Sequence, residues 1–329
     1  MTFTRGEKLY IAATFLVGAL IMLFMLQNKT TLLTQKQWQF QSIDTMKYSR
    51  DEARQALTDP KFAAEVDKQV SDIAATGATH VAIATPYDDE FLPVLKLWVR
   101  SARLHNLHVW FRGNWSGWEG WFGYAKIDEK THIAKTKQFI LDNNDLFQDG
   151  DVFSSCPECE NGGDKLNPGN PQAVVAYRQF LIAEYAATKS SFKAIGKNVP
   201  SNYFSMNADV ARAVMDKETT RELDGLVVID HYVLTPERLA DDISSIAEQS
   251  GGDIVLGEIG APIPDIHGNM TDEQQKEWLE QSLQRVSEID KLKGINYWTN
   301  KGGSTALWRQ NGTAKPAVPV LKEYFKRSY

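Results

Sequence analysis

Residues 225–237 read GLVVIDHYVLTPE. The run Leu226-Val227-Val228-Ile229 is apolar without a break, which suits a strand covered on both faces. Polar Asp230, His231 and Tyr232 follow at its end, and Thr235-Pro236-Glu237 then opens a helix. A short buried strand that hands over to a helix is one unit of a parallel sheet.

The unit recurs along the chain. Strands are expected at Phe40–Met46, His80–Ala84, Val109–Arg112, Val152–Ser155, Tyr203–Met206, Gly225–Asp230, Asp253–Gly257 and Gly294–Trp298, with helical patterns between them. Val66, Val70, Ile73 and Ala74 give a helix from about Arg50 to Ala75 its apolar face, and Asn170-Pro171 marks another helix start. Eight such units imply an α/β fold of the (β/α)8 TIM-barrel type, spanning residues 38–329. An open doubly wound sheet is the competing arrangement, but no glycine-rich phosphate-binding turn follows any strand.

The N-terminus stands apart from this pattern. Leu9 to Leu26 is an uncharged run of about 18 residues, long enough to cross a bilayer as a helix. Arg5 and Lys8 precede it, and Met25-Leu26-Gln27-Asn28-Lys29 lacks the small residues of a cleavage site. The expectation is a single transmembrane signal anchor at 9–26, with residues 1–8 cytoplasmic, 27–37 a stalk and the barrel outside the cytoplasm. A net charge of −6 argues against a general affinity for nucleic acid.

A barrel concentrates its chemistry at the C-terminal ends of its strands. Polar side chains gather there: Asp44 on strand 1, Arg112 and Asn114 on strand 3, and Glu158 and Glu160 after strand 4. Asn207 follows strand 5, His231 and Tyr232 strand 6, Glu258 strand 7, and Trp298 ends strand 8. Glu258 and one of the strand 4 glutamates face each other across the mouth of a closed barrel. Two such carboxylates about 5–5.5 Å apart are what a retaining glycosidase requires.

These residues resemble the clan-A glycoside hydrolases, retaining enzymes on a (β/α)8 barrel. Gly257-Glu258-Ile259-Gly260 is similar to the clan's nucleophile strand, His231-Tyr232 to its strand 6 pair, and Tyr297-Trp298 to the aromatic floor of its sugar subsite. The resemblance implies Glu258 as nucleophile and Glu158 as acid/base, with Glu160 as the alternative acid. It also implies a glycan or polysaccharide substrate and no metal or organic cofactor. The clan usually places Asn before its acid; here Pro157 precedes Glu158 and Cys159 precedes Glu160, so Asn161 or Asn114 must supply that hydrogen bond.

Trp115, Trp118 and Trp121 sit in a glycine-interleaved loop after strand 3, placed either to stack on sugar rings or to fold over the barrel. Cys156 and Cys159, the only cysteines, bracket Glu158 and can close a disulfide outside the cytoplasm. A thiol oxidoreductase is disfavoured, because Glu160-Asn161-Gly162-Gly163 is a poor helix start and nearby carboxylates raise a thiol pKa. The other competing reading is a non-catalytic carbohydrate-binding or envelope-scaffolding barrel.

Overall fold

The computed structural model describes residues 38–326, and Trp38–Phe325 form the unit considered below. The expected cytoplasmic segment, anchor and stalk at 1–37 lie outside the described residues. Among the described residues no helix is long and apolar enough to cross a membrane.

Eight parallel strands form one curled sheet: β1 Phe40–Asp44, β2 His80–Ile83, β3 His108–Phe111, β4 Val152–Phe153, β5 Ser205–Asn207, β6 Leu226–Asp230, β7 Asp253–Ile259 and β8 Leu292–Tyr297. Their order is β4-β3-β2-β1-β8-β7-β6-β5. First and last strands thus pair with each other, as a barrel demands. β4 and β5 share no ladder; Phe153 N–H donates to Pro200 O at 2.9 Å and Glu158 N–H to Ser205 O at 2.7 Å across that junction.

The long helices pack outside, including Phe62–Ala74, Leu92–Leu104, Glu129–Asp142, Pro171–Ala194, Pro236–Ser250 and Asp272–Val286. Asn170 caps the fourth of these by accepting from Gln172 N and Ala173 N, and Thr271 closes a capping box with Gln274 on the sixth. The helix expected from Arg50 to Ala75 is instead three pieces, Met46–Ser49, Ala53–Ala56 and Phe62–Ala74. Pro60 explains the last break, since proline removes a donor and pushes the preceding residue out of the helical region.

Inside the barrel, side chains alternate along each strand. Phe40, Ala82, Trp110, Val152, Val228 and Val255 form a buried apolar cluster of their own. Further along, four residues past Phe40 and two past Trp110 and Val228, Asp44, Arg112 and Asp230 come together instead. The Arg112 guanidinium lies 4.8 Å from the Trp110 ring centre, so the charged layer rests directly on the apolar one.

Candidate active site

Arg112 is the centre of the mouth. It is 1% exposed, and its two terminal nitrogens reach four strands. Nη1 donates to Asp44 Oδ2 at 2.6 Å and to Glu258 Oε1 at 2.8 Å; Nη2 donates to Ser205 Oγ at 3.0 Å and to Asp230 Oδ2 at 3.1 Å. A buried arginine is held only by such compensation, and the three carboxylates raise its pKa well above the ordinary arginine value despite desolvation. Burial acts in the other direction on Asp44 and Asp230, whose carboxyls are both raised against the pull of Arg112.

β7 extends to Ile259, two residues past the expected end, so Glu258 lies within the strand. The β6–β7 register shifts at Asp230, which pairs with Glu258. A bulge of this kind re-aims a side chain. Gly257 makes room for it: a Cβ there would come within 2.4 Å of Asp230 Oδ1. The second Glu258 oxygen, Oε2, accepts from the Tyr232 hydroxyl at 2.6 Å. Trp298 packs edge-on against Tyr232 with ring centres 6.2 Å apart.

Opposite stands the turn after β4. Glu158 is half-buried and adopts φ 46°, a left-handed conformation that L-residues seldom take. The structure joins Cys156 to Cys159 by a disulfide with Cα atoms 5.0 Å apart, so the covalent ring encloses Glu158. Burial first, then the charges of Glu258 and Glu160, push the Glu158 carboxyl up to about 7. Glu160 is 3% exposed, with Oε1 accepting from Asn207 N at 2.8 Å and from Asn207 Nδ2 at 3.2 Å. Asn207 Nδ2 also lies 3.5 Å from Glu158 Oε1, which puts one amide between the two glutamates.

Of the residues singled out in the sequence, the structure gathers Asp44, Arg112, Glu158, Glu160, Asn207, Tyr232, Glu258 and Trp298 around this mouth. Others lie elsewhere. Trp115 and Trp118 are buried: Trp115 Nε1 donates to Thr136 Oγ1 at 2.9 Å, and Trp118 stacks on Phe180 at 5.3 Å. Of the three loop tryptophans only Trp121 keeps an open face, so the loop chiefly folds over the barrel. Asn114 is fully buried, its amide committed to Glu119, Cys156, Trp115 and His132; it is not free to bind a sugar. Asn161 is exposed on the turn, and His231 turns to Asp242 at 2.9 Å rather than to Glu258.

Ser205 and Asn296 join the site without having been singled out, and Asp230, read as a polar end of strand 6, joins with them. Asn296 donates to Asp44 Oδ2 at 3.3 Å and to Gly257 O at 2.8 Å. Their signal was present as the position two residues beyond Tyr203, Val228 and Gly294, on the same side of each strand. Among the described residues His132, Cys156 and Cys159 bring donor atoms within 4.8 Å of one another. The disulfide uses both sulfurs and Asn114 engages His132 Nε2 at 2.9 Å, so this set does not fit a metal ion.

No protein-family model matches the chain, and no curated protein does. Solved structures do. A GH5_18 glycoside hydrolase from Streptomyces cattleya in complex with GlcNAc superposes with a TM-score of 0.65 at 13% identity, covering 88% of this chain and 80% of that one. The chain shares the fold of these hydrolases. A GH5_18 variant from Bifidobacterium longum in complex with Manβ1-4GlcNAc gives 0.63 at 14% identity, covering 88% and 78%. A β-glucuronidase from Ruminococcus gnavus bound to D-glucuronic acid gives 0.57 at 13%, covering 90% of this chain but 49% of its own. The shared barrel fold thus accounts for nearly all of the described residues.

Proposed function

We propose that the protein is a retaining glycoside hydrolase in which Glu258 attacks the anomeric carbon and Glu158 is the acid/base. The observation that carries this reading is the contrast between the two carboxyls. Glu258 has both oxygens fixed by Arg112 and Tyr232, whereas Glu158 has a raised pKa of about 7 and stands in the field of Glu258. An acid must hold its proton at the working pH, and this environment lets it do so.

In the first step Glu158 gives its proton to the glycosidic oxygen as Glu258 forms an ester to the sugar. The leaving group departs with that proton. Glu158, now a carboxylate, takes a proton from water as the water attacks the ester, which restores both groups. Arg112 and Tyr232 orient Glu258 throughout. Glu160 is the weaker candidate for the acid, because the Asn207 backbone and side-chain amides already engage its Oε1.

A 2-fluoro glycoside panel followed by peptide mass spectrometry tests the assignment, with β-mannosyl, β-N-acetylglucosaminyl, β-glucosyl and β-glucuronyl reagents. Labelling at Glu258 is expected, and labelling elsewhere overturns it. Glycan binding without turnover by the wild-type protein would indicate the carbohydrate-binding alternative. The apolar run at 9–26 and the basic residues before it support a membrane anchor with the barrel outside the cytoplasm. Alkaline phosphatase fused after residue 329 should be active in that topology and silent in the opposite one.

A further inference from the structure

The loop after β7 returns to the segment that carries Tyr232. Past Asp230 the chain leaves β6, and residues 231–235 run without ladder or helix until Pro236–Ser250 begins. The proposed mechanism needs the Tyr232 hydroxyl of this segment to stay 2.6 Å from Glu258 Oε2. One bond to the nucleophile strand fixes the near end, where His231 N–H donates to Glu258 O at 2.9 Å. The far end is held by two side chains that follow β7 in sequence. His267 Nε2 meets Val233 O at 2.9 Å, and Trp278 Nε1 donates to Leu234 O at 3.1 Å.

His267 is half-buried at the end of the turn Pro264–His267, and Gly268 closes that turn at φ 64°, where glycine is favoured. The imidazole folds back on its own loop: Nδ1 accepts from Ile263 N at 2.9 Å, while the His267 N–H donates to Ile263 O at 2.8 Å. A ring nitrogen that accepts carries no hydrogen, so the hydrogen lies on Nε2 and points at Val233 O. The ring also stands perpendicular to Trp278, with centres 5.4 Å apart. One tautomer and one orientation are thereby selected. Glu258, Tyr232, Val233 and His267 form a closed circuit, joined by two hydrogen bonds and by the chain running from β7 through Ile263.

We propose that His267 is a positioning residue for the nucleophile: its Nε2–H grips the Val233 carbonyl and so keeps the adjacent Tyr232 hydroxyl on Glu258. The inference rests on Glu258 as the nucleophile, the reading given above. His267 touches no reacting atom and acts only through Tyr232. Aiming a carboxylate matters to its attack on the anomeric carbon more than to substrate binding, so the effect belongs in kcat rather than in KM.

The test is a double-mutant cycle on the full chain, read on a cleaved aryl glycoside. His267→Phe keeps a ring against Trp278 but makes neither hydrogen bond. It should lower kcat about 3–10-fold with KM changed less than about 2-fold. His267→Ala carries the same expectation if the larger ring is not accepted, and His267→Gln, whose amide can donate to Val233 O, should recover part of the loss. In a Tyr232→Phe background, His267→Phe should cost less than about 2-fold, because the hydroxyl through which it acts is already gone. An unchanged kcat, or the same loss with and without that hydroxyl, overturns the proposal. If the wild type cleaves no glycoside, the hydrolase reading fails separately and 19F NMR of the 3-fluorotyrosine-labelled protein decides. The Tyr232 signal, assigned by its loss in Tyr232→Phe, should shift in His267→Phe; an unmoved signal overturns the clamp.

Discussion

The Tyr232 hydroxyl donates to Glu258 Oε2 at 2.6 Å while Arg112 Nη1 occupies the other oxygen at 2.8 Å. Residues from β3 and from the end of β6 thereby fix the orientation of a carboxylate carried by β7. A hydrogen bond to a charged group contributes about 1.5–3 kcal/mol, so Tyr232→Phe should slow turnover roughly 10–100-fold. Thermal stability should change little. Steady-state kinetics on a cleaved aryl glycoside with a parallel melting curve checks this, and unchanged kcat would remove Tyr232 from the mechanism.

Arg112 balances Asp44, Asp230 and Glu258 in a fully buried position. Removing one partner of a buried ion network costs about 3–5 kcal/mol because the remaining charges are left unpaired. Arg112→Met should therefore destabilise the barrel by that amount, measured by urea unfolding. Adding Asp230→Asn should recover part of the loss, since one of the stranded charges disappears.

Two pKa values set the response to pH. Glu158 at about 7 and Glu119 at about 8 both keep their protons in the folded protein well above the ordinary carboxyl value of 4.5. The unfolded chain gives up these protons first. Stability is then full below about pH 4.5 for these two groups and declines as pH rises through 7 to 8. Hydrolysis should fall over the same range as Glu158 loses the proton it must donate. Glu119→Gln should flatten the upper part of the stability curve while leaving the activity limb near 7; a limb that moved by a full unit would refute this separation.

The disulfide closes a loop of four residues, Cys156 to Cys159. Chain-entropy reasoning gives about 2 kcal/mol for so short a ring, a small part of a barrel's stability. Its larger effect falls on Glu158, which the ring holds in a left-handed conformation. Cys156→Ser/Cys159→Ser should melt only a few degrees lower yet lose most of its kcat, with KM little altered. Alkylation with and without reductant, read by mass spectrometry, should find both thiols protected until reduction.

The strands could be read because each is a continuous apolar run between turn signals, and β6 shows this at Leu226–Ile229. β4 and β5 were the least legible: only two and three residues meet ladder criteria, and their neighbours are held by isolated bonds. Glu258 and Glu158 stood out as acids at strand ends. Trp115 and Trp118 could be read either way, because their direction depends on a distant segment: a Cβ at Gly162 or Gly163 would lie 2.4 and 2.5 Å from the Trp118 ring. Glu119 carried no signal of its own. Its contact with Asn114 follows from an amide orientation set by His132 and Trp115, a tertiary fact that no local spacing encodes.

The junction between β4 and β5 has a kinetic meaning. Every other neighbouring pair in the sheet shares a ladder, but here isolated bonds span the gap, one of them from the Glu158 amide itself. Segments with few cooperative bonds open first, by partial unfolding that leaves the remainder intact. The Glu158 amide should therefore exchange its hydrogen faster than those of β7. The wall of the barrel that carries the acid is then its natural gate, able to breathe while the paired strands β8 and β1 across the barrel stay shut.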